Sequence, residues 1–426
     1  MEKHIYDSSL EILREELYTA LGCTEPIAIA LAAAKARQVL GKEPQGLRLV
    51  CSVNMFKNAK SVTVPNSGGM KGMEAAAVLG ALGGDPDSGL EVLAPITEVH
   101  RVRARSLLEQ GILSCKVAED VDNLYISVAA MAGGHCGEVT IAHTHTSVVK
   151  VVRDGDVLFE AQPDGAEGGA GPDRTVLTVR NILDFAEQAR MEDVQPLLQQ
   201  QILTNTAIAE EGLRRGYGAQ VGQALLRGDG MDVRAKAKSM AASGSDARMS
   251  GCGMPVVINS GSGNQGLTVT MPVLVYAEHL GVGEDAMYRA LIISNLVSVH
   301  QKRFLGQLSA FCGAVTAASG AGAAITYLYG GTYEQICGTI INTIASVGGM
   351  VCDGAKPSCA AKISAALDAA LTGMTMSLRG NVFQDGDGVV QGDIERTIRA
   401  VGHMGRVGMR GTDQDIIKLM LKEVDL

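Results

Sequence analysis

Tryptophan is absent from this chain, and aromatic residues of every kind make up only 4% of its 426 residues. A core without large rings must be filled by aliphatic side chains. The 46% hydrophobic content, with 18 Met and 52 Gly, points to tightly packed helices with close glycine contacts rather than a β-sandwich. Basic residues are also short: 37 Lys and Arg stand against 46 Asp and Glu, a net charge of −9. No cationic stripe is left to release counterions from a phosphate backbone, so a nucleic-acid partner is excluded. Leu- and Phe-rich runs of membrane length are missing too. Residues 304–333 and 335–352 carry no charge, but they are rich in Gly, Ala, Ser and Thr and are interrupted by Gln307 and Asn342. They read as buried helices, not membrane spans. The start, Met1 to Asp7, lacks the basic head and apolar run of an export signal. Nine cysteines, an odd number with no CxxC pair, then fit a reducing, cytoplasmic compartment where thiols serve packing, metals or catalysis.

The texture divides the chain. Leu10 to Leu21 reads as an amphipathic helix, and an Ala-rich helix follows the break at Gly22-Cys23-Thr24-Glu25-Pro26. Strands are expected at Leu47–Val53, Leu124–Ala130 and Val139–Val152, with helices around Gly72–Gly80 and Arg101–Gln110 between them. The Gly- and Pro-rich stretch from Gln162 to Pro172 is the clearest loop, and beyond it nearly everything reads as helix broken by Gly-rich turns. The expected fold class is α+β. N-terminal helices (1–44) would pack with a large helical domain (174–426), joined by a linker (163–173) to a smaller α/β domain (45–162). The Gly- and Ala-rich helical surfaces are compatible with a homodimer.

Four groups of residues can carry chemistry. Cys312, Cys352 and Cys359 lie in Gly-rich surroundings, with Gly354, Lys356 and Pro357 between the last two. Such a loop can turn backbone N–H groups toward sulfurs, as around iron–sulfur clusters, and three thiolates on four irons would leave one iron as a Lewis acid. Buried small hydrophobes are the plainer reading. Asn259-Ser260-Gly261-Ser262-Gly263-Asn264-Gln265-Gly266 can converge N–H groups and amides on an anion, either a carboxylate or a phosphate. Just upstream, Arg248 can clamp a carboxylate or merely pair with Asp246 at the surface. Cys23 at a helix N-terminus is a candidate base or labile ligand, because the helix dipole lowers a thiol's pKa. His143 and His145, in a presumed strand, would share one face and could pair on a metal, although no third ligand follows at a convincing spacing.

These motifs, in this order, resemble the bacterial and archaeal L-cysteine desulfidases, relatives of the iron–sulfur L-serine dehydratases, over nearly the whole chain. The likeness is carried by Gly22–Pro26, Ser245–Met249, Asn259–Gly266, Leu308–Gly313 and the pair Cys352 and Cys359. It implies a helical catalytic domain and a [4Fe-4S] cluster held by Cys312, Cys352 and Cys359. Cys23 would be base or fourth ligand, and Ser260, Ser262 and Asn264 would hold the carboxylate end of a small amino acid, with Arg248 beside them. The reaction implied is L-cysteine plus water to pyruvate, ammonia and sulfide. Some serine dehydratases end in a cysteine that fills the open iron, whereas this chain ends Glu423-Val424-Asp425-Leu426, so no such plug is expected. The competing expectations are an iron–sulfur L-serine dehydratase, a pyridoxal-phosphate lyase and a non-catalytic amino-acid sensor.

Overall fold

A computed structural model describes residues 1–118, 120–161, 171–228, 232–306 and 308–421. Residues 163–170 of the expected linker, Gln307 and the tail Glu423–Leu426 lie outside the described residues. The chain opens with α1 (Lys3–Glu16), a short strand β1 (Thr19–Leu21) and α2 (Thr24–Leu40). Then come β2 (Gly46–Ser52), α3 (Val53–Ala59), α4 (Gly72–Gly83), α5 (Glu98–Glu109) and β3 (Leu113–Ala118). A run of strands follows: β4 (Tyr125–Ala132), β5 (His135–Ala142), β6 (Val148–Arg153) and β7 (Asp156–Glu160). The second half holds α6 (Val179–Gln188), α7 (Met191–Arg214), α8 (Val221–Gly228), α9 (Val233–Met249), β8 (Pro255–Val257) and α10 (Gly263–Leu280). It closes with α11 (Glu284–Leu305), α12 (Gly313–Leu328), α13 (Tyr333–Val347), α14 (Cys359–Leu378), α15 (Ile394–His403) and α16 (Arg410–Leu421). The fold is α+β.

Six strands form one sheet in the order β3-β2-β4-β5-β6-β7. Only β2 and β3 run parallel, and the helices α3 to α5 supply the crossover that such a pair requires. α2 is buried at every residue from Thr24 to Ala34, as expected of a helix that is apolar all round. It lies between α4 and the sheet. A Cβ on Gly80 of α4 would stand 2.2 Å from the Ala30 carbonyl oxygen, and one on Gly137 of β5 would stand 2.6 Å from that of Ala36. The N-terminal helices therefore part company, contrary to the expectation that both join the helical part. α1 does so, through Tyr6 hydroxyl to Asp193 (2.8 Å) and an edge-on contact with Phe185, but the Ala-rich surface of α2 suits a sheet.

Periodicity placed a helix over Leu10–Leu21, whereas Thr19–Leu21 form β1 and pair antiparallel with β8, Thr19 opposite Val257. A long-range ladder overrides local preference here. The chain then turns back at Gly22, and the start of α2 reaches the Asn259–Ser262 turn through the Thr24 hydroxyl, which donates to the Gly261 carbonyl oxygen at 2.9 Å. Gly22 makes the reversal: its φ of +55° and the Pro65 ring 2.5 Å from a would-be Cβ leave no room for a side chain.

The glycine content serves the helical half in the same way. A Cβ on Gly320 of α12 would sit 2.3 Å from the Ser294 carbonyl oxygen of α11, so these helices meet backbone to backbone. Gly320→Val is expected to destabilise the protein by about 3 kcal/mol, the upper end of overpacking costs. Urea unfolding should show it as a lower midpoint, and an unchanged midpoint would mean that the helices separate freely. Among the described residues, no helix is long and apolar enough to cross a membrane.

Candidate active site

One cavity, with about 740 Å³ of space free of protein atoms and partly open to solvent, collects the chemistry. Cys23, Arg248, Ser260, Ser262, Asn264, Cys312, Cys352 and Cys359 all line it, although they are spread over more than 330 positions of the chain. Glu25, Asn58, His145, Lys302 and Lys362 line it too.

The three thiols come from helix starts and the loop between them. Cys312 is the N-cap of α12, Cys359 is the first residue of α14, and Cys352 follows a bridge that pairs Phe311 with Val351. Each sulfur accepts a backbone N–H: from Ala314 to Cys312, from Gly354 to Cys352, and from Lys356 to Cys359, the last at 3.4 Å. Gly354 has φ +90°, and a Cβ there would meet the Lys57 carbonyl oxygen at 2.6 Å, so only glycine lets this loop close. Lys57 and Lys302 face Cys352, and Lys362 and Lys356 stand near Cys359. The fully buried Lys57 is ion-paired with Asp413 of α16, whose other oxygen accepts the Ala310 N–H at 3.1 Å. The C-terminal helix thus pins the segment that carries Cys312.

Cys352 is the thiol of this group that ionises readily. The Cys312 thiol donates to it, and with Lys57 and Lys302 this draws its pKa down to about 6. Cys312 is held up by the same bond and by burial, and burial raises Cys359 to about 11. Three soft sulfur donors, each hydrogen-bonded and ringed by ammonium groups, fit an iron–sulfur cluster. Among the described residues, no three His, Cys, Asp or Glu side chains stand close enough to bind a single ion.

The same cavity is lined by the turn at Ser260–Ser262, the start of α10 and Arg248. Ser260 and Gly261 both have positive φ (49° and 74°), making a two-residue turn closed by Asn259 N–H to Ser262 O and Ser262 N–H to Asn259 O. Ser260 is one of five non-glycine residues held left-handed among the described residues. Ser262 caps α10 without spending its hydroxyl on the cap, so hydroxyl and helix N-terminus both remain for an anion. Arg248, 2% exposed, lies across this helix start, within 2.4 Å of where a Gly263 Cβ would be. It has no ion pair among the described residues, and its Nε is unpartnered. The surface pairing with Asp246 is not what forms. Asp246 is buried and accepts the Gly222 N–H at 3.0 Å, and burial pushes its pKa up to about 6. Asn264 Oδ1, Asn58 Oδ1 and His145 Nε2 are likewise buried without partners among the described residues.

Two expectations need correction. Cys23 is indeed at a helix N-terminus, as the N-cap of α2, but its thiol is not activated there. It is 1% exposed and donates to Glu25 Oε2 at 2.8 Å, and burial followed by the Glu25 charge pushes its pKa well up. Desolvation outweighs the dipole. Burial would also raise Glu25, yet His145, the Cys23 thiol and Arg248 together hold it below the usual range. Its carboxylate accepts from Asn58 Nδ2 (3.0 Å) and Thr24 Oγ1 (3.2 Å) as well. Second, His143 and His145 do not share a strand face. The expected strand 139–152 is two strands, β5 and β6, joined by a turn that contains both residues. His143, at φ 69°, faces outward to Asp122 (3.1 Å), while His145 is 3% exposed in the cavity. Asn58 was not singled out from the sequence at all. It sits on α3, in a segment without a motif, and only the packing of α3 beside α2 brings it in.

The cavity thus brings three thiols, four lysines near them and the Asn259–Ser262 turn together in one place. The chain matches the serine dehydratase alpha chain family over residues 87–418, and it belongs to that family. Full-length relatives named UPF0597 protein share this organisation of sequence. That of Lachnoclostridium phytofermentans is 51% identical over 417 residues, covering 98% of this chain and all of the relative. That of Treponema denticola is 46% identical over 430 residues (99% of this chain, 100% of the relative), and that of Finegoldia magna 44% over 414 (97% and 99%).

Proposed function

We propose that the protein eliminates the β-substituent of a small zwitterionic α-amino acid, with L-cysteine as substrate and pyruvate, ammonia and sulfide as products. The observation that carries this reading is the set of buried, unmatched polar groups around the thiols. Arg248 and the start of α10 offer donors to a carboxylate, and Asn264 Oδ1 and Asn58 Oδ1 offer acceptors to an ammonium. Leaving such groups empty costs stability, and a zwitterion satisfies both kinds at once. Cys312, Cys352 and Cys359 would hold a [4Fe-4S] cluster, which when bound supplies Lewis acidity at the iron that has no protein thiolate.

The chain's own residues do the rest. Arg248 and Ser262 orient the carboxylate, the two amide oxygens fix the ammonium, and Leu308, Phe311 and Ile363 wall the cavity against water. That apolar wall favours a thiol over a hydroxyl, since sulfhydryl groups lose less on leaving water. Nine cysteines, none joined in a disulfide, also support a reducing, cytoplasmic location.

The family's own description favours a second reading, L-serine dehydration at the same site. Anaerobically reconstituted protein separates the two. Sulfide and pyruvate release from L-cysteine is expected at a kcat/KM at least about tenfold above pyruvate release from L-serine, the discrimination of one group in an apolar pocket. A preference for L-serine would install the second reading, and turnover of neither would end both.

A further inference from the structure

We propose that Cys51, Cys115 and Met73 form a binding site for one soft monovalent cation, Cu(I), on the α/β half and apart from the cavity. None of the three lines the cavity, so the proposal stands independently of the lyase reading. Cys51 lies on β2 and Cys115 on the parallel strand β3 beside it. Cys115 is opposite Leu49, two residues before Cys51, so both side chains leave the same face of the sheet. Met73, in the first turn of α4, meets that face with its Sδ 3.5 Å from Cys115 Sγ. Cys51 and Met73 are 0% and 1% exposed, whereas Cys115 is open to solvent. Two sulfurs are therefore fixed by core packing, and the third can receive an ion from water.

The three sulfurs already form a chain. The Cys51 thiol donates to Cys115, which draws the Cys115 pKa down and holds that of Cys51 up, and the Cys115 thiol donates to Met73 Sδ. An entering cation replaces the two thiol protons, which go to solvent, and takes a lone pair from each sulfur. A disulfide is the rival use of two neighbouring thiols, and the register argues against it. Strands about 4.8 Å apart, rising about 3.3 Å per residue, place these diagonal Cα atoms about 8 Å from each other. A disulfide needs them within about 7 Å and the sulfurs about 2 Å apart. Metal–sulfur bonds of about 2.3 Å instead hold the sulfurs around one ion about 4 Å apart. That suits the wider spacing and the 3.5 Å between Cys115 and Met73. Thiolate and thioether donors together select Cu(I). Zn(II) takes four ligands, and among the described residues no third His, Cys, Asp or Glu joins the two cysteines.

Anaerobic alkylation of the full chain with iodoacetamide, mapped peptide by peptide, tests the site. Cu(I) is expected to slow alkylation of the exposed Cys115 by at least about tenfold, while Zn(II) leaves its rate near that of the metal-free protein. Titrating Cu(I) against a chromophoric Cu(I) chelator, with protection read at Cys115, gives the affinity of this site alone. Met73→Leu conserves volume and both thiols, and it should weaken that affinity by about tenfold, the low end of what a partner at a metal site contributes. Cys115→Ser, a change at an exposed position, should retain one equivalent of Cu(I) fewer than wild type against the same chelator. Protection that appears only at Cys312, Cys352 and Cys359 would overturn the assignment. So would Zn(II) protecting Cys115 as well as Cu(I) does, or a Met73→Leu variant protected at the same Cu(I) concentration as wild type.

Discussion

Serine in place of Cys312, Cys352 or Cys359 is expected to strip the protein of iron and to cut turnover by at least about a thousand-fold, the equivalent of about 4 kcal/mol of Lewis-acid stabilisation. Each of these sulfurs comes from a separate backbone feature: the cap of α12, the bridge beside Phe311, and the first residue of α14. None can stand in for another, so the loss should be complete for any single change. Serine keeps the size of the side chain and most of its hydrogen bonding, which leaves the fold in place. Iron and acid-labile sulfide analysis of oxygen-free protein, with the visible absorbance of a sulfide-bridged iron centre, measures the loss without reference to turnover. Cys337→Ser is the control. Cys337 is buried on α13 and does not line the cavity, so its variant should keep its iron. Equal iron in all four variants would refute the assignment of these ligands. A chelator under reducing conditions should reproduce the thiol variants, and restored iron should reverse it in wild type alone.

Arg248→Met should raise KM for the amino acid by about 150-fold, or about 3 kcal/mol, within the range for removing one partner of a buried charge pair. Arg248→Lys keeps the charge but loses the planar fork, and about a tenfold increase is expected. The same substitution should leave the ligand-free protein as stable as wild type or more so. The guanidinium is buried without an ion pair, and removing such a group relieves a desolvation cost instead of breaking a contact. Stability and affinity should therefore move in opposite directions, which a structural arginine would not show. A fall in melting temperature with unchanged KM would mean that Arg248 holds the fold and not the substrate.

Much of this was legible in the residues themselves. The Gly-rich Cys352–Cys359 loop announced backbone N–H groups turned toward sulfur, and the Gly354 and Lys356 amides are so placed. The Ser260-Gly261 pair announced a sharp turn, and both residues have positive φ. What misled was context. The start of α2 looked like a place where a thiol loses its proton, but burial, and after it the carboxylate two residues on, reversed the sign. The alternation through His143 and His145 looked like a strand, yet it is the bend between two strands, because local alternation does not distinguish an extended run from the tip of a hairpin. Asn58 had no motif to mark it. It belongs to a short helix whose position is set only by the crossover between parallel strands.

Composition and short motifs determined which atoms were available: sulfur donors beside flexible backbone, a hydroxyl and amide turn at a helix start, and helices packed so closely that only glycine fits. These are local properties, written in steric limits and in the spacing of a few neighbours. Tertiary structure alone decided which atom carries a proton and which is left without a partner. Burial and the charges that face a group move its ionisation by more than its own helix does, whether the charge sits two residues on, as Glu25 does from Cys23, or in a distant segment, as Arg248 does. The role of Cys23 changed for that reason, and so did the importance of His145.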